Sequence, residues 1–427
     1  MMKTLIAMSI FVTGMLATSA SAQKTIPIRA LTPPAESPEH FKSTPSVRQL
    51  PNGRAIVHDI LGKRVMVFDT TMKSFTVSAD SAGESGTKYP AAMFSFYNPL
   101  IPYLGDSTLF TDFDAKTFIV IGPDGKLGHA MSHAKATDLM SPSQPSNGVQ
   151  GTDLQGRLIY REIGGFRPPP LKPGEATVVS TRDTIKLVRA DFNTRTIDTV
   201  ASYTANKSIQ TVFTLLPGGK TGGTRIVNPI PPASDSWAVM SDGTIAVVRA
   251  HDYHIDFTYP DGSTFSSAKL PFDWRRLTDD DKKARIDSMQ RVIDSVTASG
   301  RPFGMIIGFS KTGEGAPSKP DTIIPKISFV PLNEISDYVP PIALGAAKPD
   351  ADNNLWILPT TSTQAKGGLL YDVVNRKGEL VERVQLPKDR VVAGFGKGGV
   401  VYLAKFDAAS KLWTLERCRI NRSQLKQ

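Results

Sequence analysis

Short runs of alternating or fully apolar residues recur along this chain, each broken by a Gly, Asp or Asn turn. "SVRQLPNGRAIVHD" from Ser46, "YLGDSTLFTDFD" from Tyr103 and "GVQGTDLQGRLIYRE" from Gly148 are the first three. "SWAVMSDGTIAVVRAHD" from Ser236, "AAKPDADNNLWILPT" from Ala346 and "VVAGFGKGGVVYLAKFD" from Val391 follow. Each reads as strand, tight turn, strand, and pairs such as Asn52-Gly53 and Asp242-Gly243 suit the positive φ of two-residue hairpin turns. Further strand-like runs follow most of them, among them "RVMVFDT", "SFTVSAD", "TFIVIGPDGKL" and "LLYDVVNRKGELVERVQL". Six repeats of up to four strands predict an all-β fold, a six-bladed β-propeller of four-stranded antiparallel blades over 46–420. Radial repetition of this kind leaves few exposed sheet edges.

The spacing of the turns is uneven, with long gaps between Gly156 and Gly243 and between Gly243 and Asn354. The second gap holds the one helical pattern, an amphipathic insertion over 278–299. Thr278 stands as N-cap before three Asp residues, and Ile286, Met289, Ile293 and Val296 form an apolar stripe. Gly300 sits where a C-terminal cap belongs. The first gap contains "RPPPLKPGE" and "PGGKTGGT", read as surface loops, and leaves open a seventh blade within 204–235. The last blade shows three strands, and the N-terminal segment 23–45, through "TIPIRAL" (25–31), is expected to supply the fourth. Residues 421–427 read as a tail.

The first 22 residues carry a basic start at Lys3, an apolar stretch from Leu5 to Ala17 and a small-x-small end at Ala20-Ser21-Ala22. That pattern is a secretory signal peptide, and its apolar part is short for a bilayer core of ~30 Å. No later stretch is apolar enough to span a membrane. The expected location is periplasmic or secreted. The 427 residues carry a formal net charge of +10, but it is spread thinly, with no block of five or more Lys and Arg, which argues against nucleic acid as a partner. A single Cys excludes a disulfide framework and a Cys-based zinc site. Buried and inert is the expected state of Cys418.

The run "SWAVMSDGTIAVVRAHDYHIDFTYPDGS", then "FDWRRLTDDDKKAR", "LLYDVVNRKGELVERVQLP" and "VVYLAKFD", resembles an exported bacterial family of six-bladed β-propellers related to NHL-repeat and TolB-like proteins. The resemblance spans about residues 24–420 and implies architecture more than activity.

Aligning the turns places Asp59, Asp112, Glu162, Arg249 and Lys405 at one offset, at the ends of second strands and so on one rim. Acids and bases there suit a polar ligand: a protein, a glycan or a small molecule. The simpler account is that they are solvated strand ends. The expected function is binding or scaffolding without a resident cofactor. The alternative is a metal-dependent hydrolase resembling gluconolactonase-like propellers, with a divalent cation such as calcium held by Asp59, Asp112 and Glu162. His58, His129, His133, His251 and His254 read as packing or surface residues, and no HExxH is present. Gly394 to Gly399 fits GxGxxG by letter, but a strand follows it, so a hairpin is expected. Trp237, Trp356 and Trp413 read as core, and Trp274 as a cap on the inserted helix or part of a binding loop.

Overall fold

The computed structural model describes residues 26–84, 87–89, 99–112, 115, 117–134, 148–162, 176–178, 182–215, 221–300, 306–310 and 319–423. The expected leader (1–22) and the loop reading of 167–175 lie outside the described residues. The molecule is mostly β; among the described residues its sheets have four or five strands, apart from one of two and one of eight, the latter made of two four-stranded halves, here the first and the sixth. In chain order the first comprises Ser46–Gln49, Ala55–Asp59, Arg64–Phe68 and Phe75–Asp80. The second comprises Ile101–Pro102, Thr108–Asp112, Thr117–Ile121 and Leu127–Ser132. The third comprises Gly151–Thr152, Leu158–Arg161, Arg182–Ala190 and Ile197–Asn206. The fourth comprises Ser236–Val239, Ile245–Arg249, His254–Thr258 and Thr264–Ser266. The fifth comprises Ile342–Pro349, Leu355–Pro359, Leu370–Val374 and Leu380–Gln385. The sixth joins Arg390–Gly396, Val400–Asp407 and Leu412–Arg419 to the N-terminal strand Ala35–Phe41.

Second strands such as Ala55–Asp59 and Ile245–Arg249 are buried along nearly their whole length, whereas the fourth strand Thr264–Ser266 is exposed throughout. A strand covered on both faces needs a continuous apolar run rather than alternation, which is how these second strands read in sequence. The covers are the neighbouring sheets. Ile56 and Val67 of the first sheet pack with Phe110 and Ile121 of the second, and Leu109 and Phe118 with Leu158 and Tyr160 of the third. Ile159 and Leu187 meet Trp237 and Val247, Val248 and Ile255 meet Leu355 and Ile357, and Trp356 meets Val401 and Leu403. Tyr402 and Leu415 of the sixth sheet meet Val57 and Met66 of the first. The last sheet thus returns to the first one.

The hairpin turns between first and second strands touch in the same order. Arg48 Nη1 donates to Asp106 O (3.2 Å), Ser241 Oγ to Asn353 Oδ1 (2.5 Å), Gly398 N and Gly399 N to the Asp352 carboxylate (3.0 and 2.8 Å), and Lys397 N to Gln49 Oε1 (2.9 Å). Gly243 has φ +85°, and a Cβ there would lie 2.8 Å from Asp153 Cα, so the turn of the fourth sheet needs glycine for its backbone and for its fit on the third. Gly394–Gly399 forms the end of a strand and its hairpin turn, with Val400–Asp407 following.

The closing strand differs in position from the expectation. Residues 35–41 pair antiparallel with Leu412–Arg419, and Leu31, within the expected segment, bridges antiparallel to Ile420, while Ile28–Arg29 pairs parallel with Arg383 and Val384 of the fifth sheet. Pro33 and Pro34 offer no N–H, so the pairing with the last strand is interrupted between Leu31 and Ala35. The 204–235 region, left open for a seventh blade, contributes two strands to a further four-stranded sheet. Its hairpin, Ile209–Leu215 with Thr221–Val227, is completed by Ala176–Val178 on one side and Lys326–Phe329 on the other.

The helix α1 spans Asp279–Ala298 with a capping box, Thr278 Oγ1 accepting from Asp281 N and Asp281 Oδ2 accepting from Thr278 N. Lys282, almost fully buried, donates to Asp337 Oδ1 (2.6 Å), and Ile286 packs on Ile230, Leu277 and Ile335. Thr278→Ala is expected to cost about 1 kcal/mol, read as faster amide exchange over 279–283. Among the described residues no helix is long and apolar enough to cross a membrane. Cys418 is buried, and burial followed by the Glu416 charge pushes its thiol up to about 12, which leaves it protonated and inert.

Candidate functional site

The first–second hairpin turns and the ends of the second strands lie at opposite ends of each sheet. Asp59, Asp112 and Arg249 end their strands, Glu162 follows Leu158–Arg161, and Lys405 lies late in Val400–Asp407, so all five sit toward one rim. Each has partners of its own there. The Asp59 carboxylate is fully buried and accepts from Lys42 N (2.9 Å), Ser43 N (3.0 Å), Ser43 Oγ (2.7 Å) and Gly62 N (3.1 Å). Asp112 accepts from Ala115 N (3.0 Å), Glu162 N donates to Lys186 O (2.9 Å), and Lys405 pairs in register with Arg390 and Thr414. Arg249 is clamped by Asp256 (2.6 Å) and Asp235 (2.8 Å). Burial works against its charge, but these bonds outweigh it and hold its pKa above the ordinary value. Among the described residues no three His, Cys, Asp or Glu side chains are placed to hold a metal ion. His58 bonds the Tyr89 hydroxyl (2.8 Å) inside the core, and His254 bridges Asp252 and Asp256.

The same rim carries a different constellation at the fifth sheet. A cavity of about 160 Å³ is lined by Phe272, Asp273, Thr361, Ser362, Asp372 and Arg383, with three apolar residues beside them. Asp372 is 2% exposed and accepts from the buried Tyr253 hydroxyl (2.8 Å) and from Arg383 Nε (2.7 Å). Burial first, then the Asp372 charge, raises the Tyr253 phenol well above its ordinary pKa, so it remains a donor. Tyr253 sits at φ +54°, an unusual backbone for an aromatic residue, held where the chain turns between second and third strands. Asp372 in turn orients Arg383, its cross-strand partner in register. Among the described residues neither Nη of Arg383 has a partner, so the outer fork of the guanidinium is free to bind.

Aromatic rings lead outward from this cavity. Tyr253 meets Phe272 (5.7 Å between centroids), Phe272 meets Trp274 (5.1 Å) and Trp274 meets Tyr338 (6.4 Å). Trp274 and Tyr338 are 41% and 44% exposed, which places an open aromatic surface beside a carboxylate, a guanidinium and two hydroxyl side chains. Trp274 therefore joins a surface cluster, and the helix is capped by Thr278. A larger cavity of about 310 Å³ lies at the other rim, between the third and fourth sheets. Of its charged side chains, Arg189 pairs with Asp198, Asp153 with Arg157 outside the cavity, and Asp261 accepts from Ser263. It offers no free fork and no exposed ring cluster among its lining residues.

Sequence reasoning missed Asp372, Arg383, Tyr253 and Phe272. The signal was present in "LLYDVV", an acid set inside an apolar run that reads as a central strand.

No family model and no curated protein matches this chain. Solved structures do resemble it. An exported protein from Bacteroides fragilis is 10% identical, with 93% of this chain and 100% of that one covered and a TM-score of 0.41. A catalytically inactive virginiamycin B lyase from Staphylococcus aureus with quinupristin is 10% identical over 90% and 99% of the chains, TM-score 0.38. An auxiliary nutrient binding protein from Bacteroides thetaiotaomicron is 9% identical over 89% and 70%, TM-score 0.29. At this level of similarity, fold and function rest on the chain's own geometry.

Proposed function

We propose that this chain is an exported six-bladed β-propeller that binds a small glycan-type ligand in the rim cavity of its fifth blade. The closed series of cores from the first sheet to the sixth and back supports the six-bladed reading, and the leader-like first 22 residues support export. The observation that carries the binding reading is Arg383: its Nε is fixed by Asp372, and both Nη groups remain unpaired among the described residues. A planar fork suits vicinal hydroxyls or a carboxylate, and the exposed rings of Trp274 and Tyr338 offer a surface for the apolar face of a sugar. Thr361 and Ser362 add hydroxyls to the wall.

The test is a glycan array followed by calorimetric titration of the best neutral and acidic sugars. Arg383→Ala is expected to weaken binding by about 100-fold, as loss of a charge-assisted pair of about 2–3 kcal/mol implies. Trp274→Ala is expected to weaken it by about tenfold. Absence of any sugar binding, or wild-type affinity in a folded Arg383→Ala protein, would overturn the reading.

A further inference from the structure

Two opposite charges line the rim cavity of the fifth sheet without pairing with each other. Asp273 stands in the exposed chain that leads from the fourth sheet to α1, and Arg383 stands in the fourth strand of the fifth sheet. Among the described residues no hydrogen bond or ion pair engages the Asp273 carboxylate. None engages the Nη groups of Arg383, whose Nε alone is taken by Asp372.

The walls that carry these charges are held apart by the fold. The Asp273 segment is fixed before the cavity by Leu270 N on Tyr253 O (2.7 Å) and beyond it by Leu277 N on Asp337 O (2.7 Å). Pro271 stiffens it, and Phe272 sits edge-on between Tyr253 and Trp274. On the other side, Thr360 Oγ1 donates to Pro340 O (2.6 Å) and Leu370 N to Ser362 Oγ (2.6 Å). Between the walls lies a gap of about 160 Å³. A water takes about 30 Å³ of the liquid, so the gap has room for about five waters, the scale of a single sugar ring.

Charge decides what suits that gap. The lining holds one cation, Arg383, and two carboxylates, Asp372 and Asp273, so it carries one net negative charge. Of the two cations that follow in the chain, Arg275 is engaged by Asp281 (3.5 Å), and Arg276 helps to stabilise the Asp337 carboxylate. A carboxylate ligand would double the negative charge of the lining, whereas an ammonium would cancel it. A molecule with hydroxyls for the guanidinium fork and an ammonium for Asp273 satisfies both free groups at once.

We infer that the ligand of this cavity is an amino sugar with an unblocked amine, its ammonium at Asp273 and neighbouring ring hydroxyls at Arg383. This inference rests on the glycan reading above and narrows it to one chemical class. Asp273 then acts as the residue that separates amino sugars from neutral and acidic ones.

The full chain is titrated by calorimetry with D-glucose, D-galactose and D-mannose, and with the 2-amino-2-deoxy, N-acetylated and uronic acid forms of each. A pH of about 6 keeps the amines protonated and the carboxylates ionised. At least one amino sugar is expected to bind about fivefold more tightly than its parent, the range of an exposed ion pair. Its N-acetyl form, which has lost the charge, should fall back towards the parent, and the uronic acid should bind no better than the parent. Added salt should shrink the preference for the amine. Asp273→Asn should bring the ratio of amine to parent close to one, and Asp273→Glu, which keeps the charge, should retain most of it. Sugars that bind with no preference for the amine, tighter binding of a uronic acid, or a preference that survives in Asp273→Asn would each overturn the inference and leave the glycan reading standing. If no sugar binds in these titrations or on the array, both fall together.

Discussion

Asp59→Ala is expected to lower the unfolding free energy by about 3 kcal/mol, because it strands several donors that the buried carboxylate now satisfies. Those donors belong to Lys42 and Ser43, directly after the N-terminal strand, and to Gly62 in the loop after the second strand. The carboxylate therefore pins the residues that lead from the sixth sheet into the first. Phe41, the last residue of that strand, is fully buried in the core shared by these two sheets. The loss should appear in urea unfolding as a lower midpoint and as faster amide exchange across 35–43. Asp59→Asn keeps an oxygen for the Ser43 and Gly62 donors but turns an N–H₂ on Lys42 N, or the reverse, so about half of the loss is expected. An Asp59→Ala protein as stable as wild type would mean that the carboxylate is not what holds the closing strand.

The larger effect is expected at Trp356. Its side chain is fully buried, touches Tyr371 (5.6 Å) and Phe395 (4.9 Å), and donates its indole N–H to Asp350 (3.1 Å). Asp350 anchors its own turn through Asp352 N and Asn354 N, and burial, only partly offset by those bonds, raises its pKa. Trp356→Ala removes the filling between the fifth and sixth sheets and is expected to cost about 3–5 kcal/mol. The urea midpoint should fall with little change in slope, since the surface exposed on unfolding stays nearly the same. Trp356→Phe, which keeps most of the volume but not the N–H, should cost less. An equal loss from both variants would place the effect on the Asp350 bond instead of the packing.

Much of the architecture was legible in the sequence because it is local. The hairpin turns are written in adjacent residues, and Gly53, Gly156 and Gly243 do adopt positive φ. The helix was equally readable, since Thr278 and Asp281 cap it within one turn. What failed to show was long-range pairing. Nothing near Ile209–Leu215 says that Ala176–Val178 and Lys326–Phe329 will flank its hairpin, because strand edges carry no address in their own residues. The rim residues illustrate the same limit. The shared offset placed Asp59 and Arg249 at the correct height, since a strand's rise per residue is nearly constant. It could not reveal that Asp59 would be filled by donors from residues 42 and 43, or Arg249 by Asp235, which reach them from other segments. Asp372 and Arg383 escaped notice because their pairing depends on register between two strands and on a phenol from the preceding sheet.

The strand over 35–41 is held by the strand over 412–419, so most of the described chain lies between the two partners. Closing so long a loop before the segments between have packed carries an entropy cost, and contacts of such long sequence separation are slow to establish. In a chain threaded end-first through a narrow pore, 35–41 would wait without this partner until 412–419 had emerged, and the two would then meet like the halves of a clasp.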